Sequence, residues 1–345
     1  MSPEPTLPET LPVIQALLDY GLFLAETLTL VLLVGALLFT LLHARGRFHT
    51  DGDRIEVTNL NDKYRSMAQV LRRASLPKKA VVKALKEERK ARKRRGRTRD
   101  RERRRIFVID FHGDIKATEV ASLRELITCV LMEAGAGDEL LVRLENAGGV
   151  LVEHGLAASQ LTRVRRSKVR LTVAVDKVAA SGGYLMACVA DHIIAAPFTA
   201  VGSIGVVVQL PNFHRLLERR GVDFELHTAG EYKRTLTLFG ENSDADREKV
   251  REQLEDTHKL FKDFIREYRP GVDLGAVATG EYWHGIQALE LGLVDEVKTS
   301  DDYLLEANTD ADLYLVAYAV HKRPLERLLA AVQGAVSGVL SGRRL

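Results

Sequence analysis

From Ile106 to Val175, short apolar runs alternate with longer mixed segments. Ile106-Phe-Val-Ile-Asp-Phe111, Glu139-Leu-Leu-Val-Arg-Leu144 and Val169 to Val175 predict strands, while Ser122 to Ala134 and His154 to Arg165 predict helices between them. Strand and helix in alternation argue for βαβ units on a parallel sheet, whose sites gather at the carboxyl ends of the strands. The Ala, Leu and Met content of Tyr184 to Ala190 predicts another helix. Ser243 to Tyr268 is charged with spaced Val, Leu and Phe, which predicts an amphipathic helix packed on a core or on another subunit. Asp312 to Ala319 predicts a strand, and the apolar stripe of Leu325 to Leu340 a packing helix or a membrane-surface helix.

The amino terminus has a different pattern. Tyr20 to Ala44 is dominated by Leu, Val, Ala, Phe and Gly, with Glu26 the only formally charged residue, and about 20 apolar residues span a bilayer, so a transmembrane helix is expected. A cleavable signal peptide is disfavoured because Glu4, Glu9 and Asp19 stand where a basic start belongs. Arg45 and Arg47 follow the apolar run and no Lys or Arg precedes it, so the flanking charge places the bulk of a single-pass membrane protein in the cytoplasm. Arg72 to Arg105 holds 18 Lys or Arg against 4 Asp or Glu in a chain of net charge +3. It reads as a solvated or partly disordered linker, with electrostatic attachment to anionic lipid as its functional alternative. With aromatics at 6% no stacking surface for nucleic acid is indicated. Cys129 and Cys188 exclude a disulfide framework by number and read as small buried hydrophobes.

The chemistry concentrates at Ala179-Ala180-Ser181-Gly182-Gly183-Tyr184 and, some fifty positions on, at Gly230-Glu231-Tyr232-Lys233-Arg234. Ser181 falls at a predicted strand-to-helix turn. The two glycines after it leave backbone N–H groups uncovered, as stabilisation of an oxyanion requires, and the helix N-terminus adds its positive end. A neutral lysine amine can take a serine's proton, but a lysine ordinarily protonated at neutral pH needs a depression of roughly 3 units, about 4 kcal/mol, which burial can supply. Thr235-Leu-Thr-Leu-Phe239 is the wall available to Lys233. Rivals are weaker: Ser203 has no clear helix start after it, Lys177 sits beside Asp176 and reads as carboxylate-paired, and His192 and His227 stand in no recognisable triad pattern.

Four runs then extend the picture: Val175-Asp-Lys-Val-Ala-Ala-Ser-Gly-Gly183, Val201-Gly-Ser-Ile-Gly-Val206, His227-Thr-Ala-Gly-Glu-Tyr-Lys-Arg-Thr-Leu-Thr-Leu238 and Ala288-Leu-Glu-Leu-Gly-Leu-Val-Asp-Glu296. Across roughly Ile106 to Ser300 the chain resembles the signal peptide peptidase A family of membrane serine proteases, most closely its single-domain SohB-type members. The resemblance implies an α/β fold of the ClpP/crotonase-like spiral kind, with Ser181 as nucleophile, Lys233 as base, and Gly202, Ser203 and Ile204 lining the substrate groove. It also implies rings in which dyad partners come from adjacent subunits. Where the family carries Ser-Pro-Gly-Gly, this chain reads Asn146-Ala147-Gly148-Gly149. The glycine donors survive, so Gly148, Gly149 and Gly182 are the expected oxyanion hole. The rigid proline is lost, and Asn146 is a residue whose turn-forming capacity compensates for it.

The expected organisation is a tail to residue 19, the membrane helix 20–44, a basic linker 45–105, a serine protease domain 106–300 and an extension 301–345. The expected activity is a membrane-anchored, homo-oligomeric endopeptidase acting on signal-peptide remnants or membrane-associated polypeptides, with no metal or nucleotide required. A crotonase-like acyl-CoA enzyme and a non-catalytic membrane scaffold are the alternatives.

Overall fold

The computed structural model describes residues 19–35, 54–97 and 103–319. The chain forms two compact units, Met1–Asp53 and Arg54–Leu345. In the first, residues 19–35 are helical (α1), with the Thr27 and Thr29 hydroxyls donating to the Phe23 and Ala25 carbonyls one turn earlier. The expected membrane helix 20–44 runs past this helix, and its residues 36–44 lie outside the described residues, as does the expected helix 325–340. Among the described residues no helix is long and apolar enough to cross a membrane.

The second unit runs β1 (Arg54–Asn59), α2 (Leu60–Ser75), α3 (Lys78–Arg97), β2 (Arg105–Gly113), α4 (Val120–Glu133), β3 (Glu139–Asn146), α5 (Leu151–Arg165), β4 (Arg170–Val175), β5 (Val178–Ala180) and α6 (Gly182–Ala187). It continues through β6 (His192–Ala195), β7 (Ala200–Gly202), α7 (His214–Arg219), α8 (Asp244–Tyr268), α9 (Leu274–Val277), β8 (Tyr282–His284), α10 (Gly285–Glu290), β9 (Glu296–Val297), α11 (Ser300–Ala307) and β10 (Asp312–Ala319). The sheet order is β1-β10-β2-β3-β4-β6-β9, with β5 paired to β3 and β7, and β8 to β7. All these pairings are parallel except β1 with β10 and β7 with β8. The result is an α/β fold on a mostly parallel sheet.

Strand alternation divides the core. Leu140, Val142 and Leu144 of β3 join a large cluster with α4, α5 and α6, while Leu141 turns to the other face, where Leu60 of α2 and Leu304 of α11 complete a smaller one. Both faces of the central strands are therefore apolar, which is why they read as nearly continuous hydrophobic runs.

The region read as a basic linker is more ordered than its composition suggested. β1 pairs with β10, and Asn61, next to the Asn59 cap of α2, accepts the Leu313 N–H at 2.8 Å and donates to the Ala311 carbonyl at 3.0 Å. The sheet thus takes strands from segments assigned to the linker and to the carboxyl-terminal extension. Strand pairing over long sequence separation decides this, and local charge density does not register it.

Candidate active site

β5 lies between β3 and β7, with Asn146 opposite Ala179 and Ala180 opposite Gly202. The carboxyl ends of three parallel strands therefore deliver the Gly148-Gly149 turn, Ser181 and Ser203 side by side. Gly148 presses so close to the serine that a Cβ on it would fall 2.7 Å from Ser181 Cβ and 2.9 Å from the Gly182 nitrogen.

Ser181 adopts φ 51° and ψ −118°, a region that side-chain-bearing residues rarely occupy. It caps α6, donates its N–H to the Gly202 carbonyl at 2.8 Å and accepts the Leu185 N–H at 3.0 Å. These bonds hold the backbone in a conformation it would otherwise leave. The hydroxyl is half-buried, and among the described residues it makes no hydrogen bond.

Two of the three expected oxyanion donors are available. The Gly149 and Gly182 N–H groups make no hydrogen bond among the described residues. Gly148 is the correction: its N–H goes to Asn146 Oδ1 at 2.8 Å, closing an Asx turn with Gly148 at φ 88°. An amide side chain there captures the donor it stabilises, and in return pins the turn that proline would have stiffened.

The surroundings of Lys233 differ from those expected. The residue lies exposed, and among the described residues its amine has neither a hydrogen bond nor an ion pair, so the apolar wall expected from Thr235 to Phe239 does not close over it within one chain. The reason is local. Residues 205–242 fold on themselves: Phe239 packs against Phe213 and Phe224, Asn212 donates to the Thr237 and Gly240 carbonyls, and Thr237 donates its N–H to Asn242. Tyr232 turns to Lys249, whose Nζ sits 5.0 Å from the ring centroid, and its hydroxyl is held above the usual phenol range by hydrogen bonding to Glu231.

The rivals are accounted for. Ser203 donates its hydroxyl to the Gly280 carbonyl at 3.3 Å, with Gly202 against the Trp283 ring and Ile204 buried. Lys177 pairs with Glu145 at 2.8 Å, while the adjacent Asp176 accepts from Ser300 instead. His192 faces Glu296 at 3.2 Å and His227 faces Glu225 at 3.3 Å. Cys188 is buried, its thiol pushed up by burial, and Cys129 is partly buried. Among the described residues no group of three or more His, Cys, Asp or Glu is placed to hold a metal ion. One residue that the sequence reading passed over is His154 of α5, fully buried beneath Gly182. Its place four residues into an apolar helix gave no signal beyond that of a core histidine.

Residues 15–161 match the N-terminal domain of peptidase family S49, and residues 163–314 match the peptidase family S49 domain. The probable protease SohB of Haemophilus influenzae is 42% identical over 322 residues, covering 90% of this chain and 91% of that protein. The chain belongs to peptidase family S49. It is a serine peptidase similar to SohB, with the SohB of Buchnera aphidicola from Acyrthosiphon pisum 52% identical over 238 residues, 69% of this chain and 71% of that protein. Among solved structures, a mutant of the 1510-N membrane-bound stomatin-specific protease in complex with a substrate peptide aligns at a TM-score of 0.41 and 13% identity, over 67% of this chain and 98% of that one.

Proposed function

We propose that this S49 peptidase is a membrane-anchored endopeptidase with a ClpP/crotonase-like core, in which Ser181 is the nucleophile and Lys233 the general base. The observation that carries the reading is Ser181 itself, held at φ 51° at the start of α6 with two unused backbone N–H groups beside it. A neutral Lys233 amine takes the Ser181 proton, Oγ attacks the scissile carbonyl, and the Gly149 and Gly182 N–H groups receive the charge that develops on its oxygen. Collapse expels the amine half of the substrate with that proton, and water releases the acyl group. Gly202, Ser203 and Ile204 line the groove for an extended apolar peptide, a signal-peptide remnant or a membrane-associated polypeptide.

Lys233 is exposed in one chain, and the segment carrying it leaves Val207, Val208, Phe213, Phe224 and Leu226 open to solvent. Such a surface is costly on a monomer. A neighbouring copy that covers it supplies the desolvation the amine needs, and brings Lys233 of one chain to Ser181 of the next. The span 20–44 anchors the assembly, with the flanking charge placing its bulk in the cytoplasm.

An active-site-directed acylating probe tests the reading. Labelling of Ser181 in the intact chain, lost in Lys233→Ala, is expected, and activity recovered on mixing Ser181→Ala with Lys233→Ala requires dyads shared between chains. Persistent labelling of Lys233→Ala at the unaltered rate removes the base, and affinity for coenzyme A without any labelling points to acyl-CoA chemistry.

A further inference from the structure

The end of β3 and the start of α5 bury two polar side chains that the proposed chemistry does not use. Asn146 and His154 are both fully buried. Asn146 Oδ1 accepts the Gly148 N–H at 2.8 Å, and because a backbone N–H can meet only the oxygen of the amide, this sets which way the amide faces. Nδ2 is left with Met186 Sδ at 3.3 Å. His154 Nε2 stands 3.2 Å from the same Oδ1, and Nδ1 stands 2.9 Å from the Val150 carbonyl; both partners are acceptors, so a neutral imidazole donates to one of them at a time. The chain of contacts leaves the Gly148-to-Val150 turn at one end and returns to it at the other.

Three glycines make room for this pair. A Cβ on Gly113 would fall 2.3 Å from Asn146 Cγ, one on Gly182 2.5 Å from His154 Cγ, and one on Gly183 2.1 Å from the Asn146 carbonyl oxygen. Gly182 and Gly183 therefore have a second use besides uncovering N–H groups: they let the nucleophile's helix settle onto an imidazole and a backbone carbonyl. Two apolar residues of similar volume would fill the space without the desolvation cost of burying polar groups. A structural role alone does not call for amide and imidazole here, whereas a turn that must be held in one orientation against Ser181 does.

We propose that Asn146 and His154 are positioning residues of the active site. Asn146 ties down Gly148 so that Gly149 offers its N–H beside Ser181. His154 holds the Asn146 amide and supports Gly182 from below, so that both oxyanion donors are set by one buried pair that never touches substrate. The proposal rests on the Ser181 reading given above.

The test uses the full chain, a fluorogenic Leu- and Ala-rich peptide, and an acylating probe that counts competent sites, so that unfolded protein does not enter the rates. Asn146→Ala and His154→Phe are expected to lower kcat per titrated site by about 10- to 100-fold, with KM changed less than about threefold, the range a small misplacement of donors produces. Asn146→Asp keeps an oxygen for both Gly148 and His154, and His154→Gln keeps a donor toward Asn146; both are expected to retain kcat within about threefold. Normal kcat in Asn146→Ala and His154→Phe, with Ser181→Ala inactive, overturns the positioning role while leaving the nucleophile in place. Equal loss in Asn146→Asp and Asn146→Ala overturns it too, since packing alone then explains the pair. An active Ser181→Ala overturns the reading beneath it.

Discussion

At Ser181 the chain accepts strain to aim a hydroxyl. A residue held at φ 51° and ψ −118° stores on the order of 1–3 kcal/mol, and glycine occupies the same region freely. Ser181→Gly is therefore expected to abolish peptidase activity yet raise stability by about 1 kcal/mol after allowing for glycine's larger unfolded-state entropy. Ser181→Ala keeps the strain and gains nothing. Denaturant titration of the two variants side by side checks this, and equal midpoints would show that the turn is relaxed. The neighbouring residues divide the remaining work. Gly148 spends its N–H on Asn146, Gly149 and Gly182 keep theirs, and Ser203 is engaged with Gly280.

Among the elements, the α2–α3 hairpin stands furthest from its composition-based reading. Its first turn docks Leu60 into the smaller core cluster, and Glu88 of α3 ties to Arg65 at 3.0 Å and to Arg72 at 3.2 Å, both on the charged side of α2. α3 therefore leaves the apolar side of α2 open, with Met67, Val70 and Leu71 each 60% exposed or more. The two helices carry 15 Lys or Arg against three Asp or Glu. Uncovered apolar residues within so basic a hairpin suit an anionic lipid surface, where each basic residue contributes about 1 kcal/mol. The residue 54–319 fragment and its Met67→Ser/Leu71→Ser variant are expected to bind phosphatidylserine vesicles with the variant weaker, and both to release as salt rises. Equal binding to neutral vesicles would sink the idea.

Over the whole molecule, carboxylates paired with arginines fasten helices to the sheet and make stability depend on pH. Burial raises the Asp295 carboxyl, but the Arg269 guanidinium at 2.8 Å and the Ile193 N–H at 2.7 Å outweigh it and hold the group below the usual carboxylate range. Asp138 beside Arg105 behaves alike. A carboxylate lowered on folding contributes stability that is fully present above its unfolded value, near 4, and lost as pH falls through the folded value. Asp295→Asn is accordingly expected to cost about 1 kcal/mol at pH 7, solvent screening of the exposed Asp295 offsetting part of what the half-buried Arg269 loses, with the difference from the native chain shrinking below pH 4. Parallel melts at pH 7 and pH 3 measure it, and a gap that stays constant would exclude the linkage.

Local pattern by itself determined the alternation of strands and helices from β2 to β4, the long α8 and the strand β10, because each has a periodicity and length that few other conformations satisfy. The run around Ser181 was legible for a similar reason: a small-residue turn between a buried strand and a helix leaves few conformations open. Tertiary structure alone decided that β1 and β10 close onto β2, that Asn146 takes the Gly148 N–H, and that His154 lies beneath Gly182, since each depends on groups brought together by folding. It also decided that Lys233 stands in the open. A sequence names the residues that can form a wall, but whether they turn toward an amine or toward one another is settled by packing.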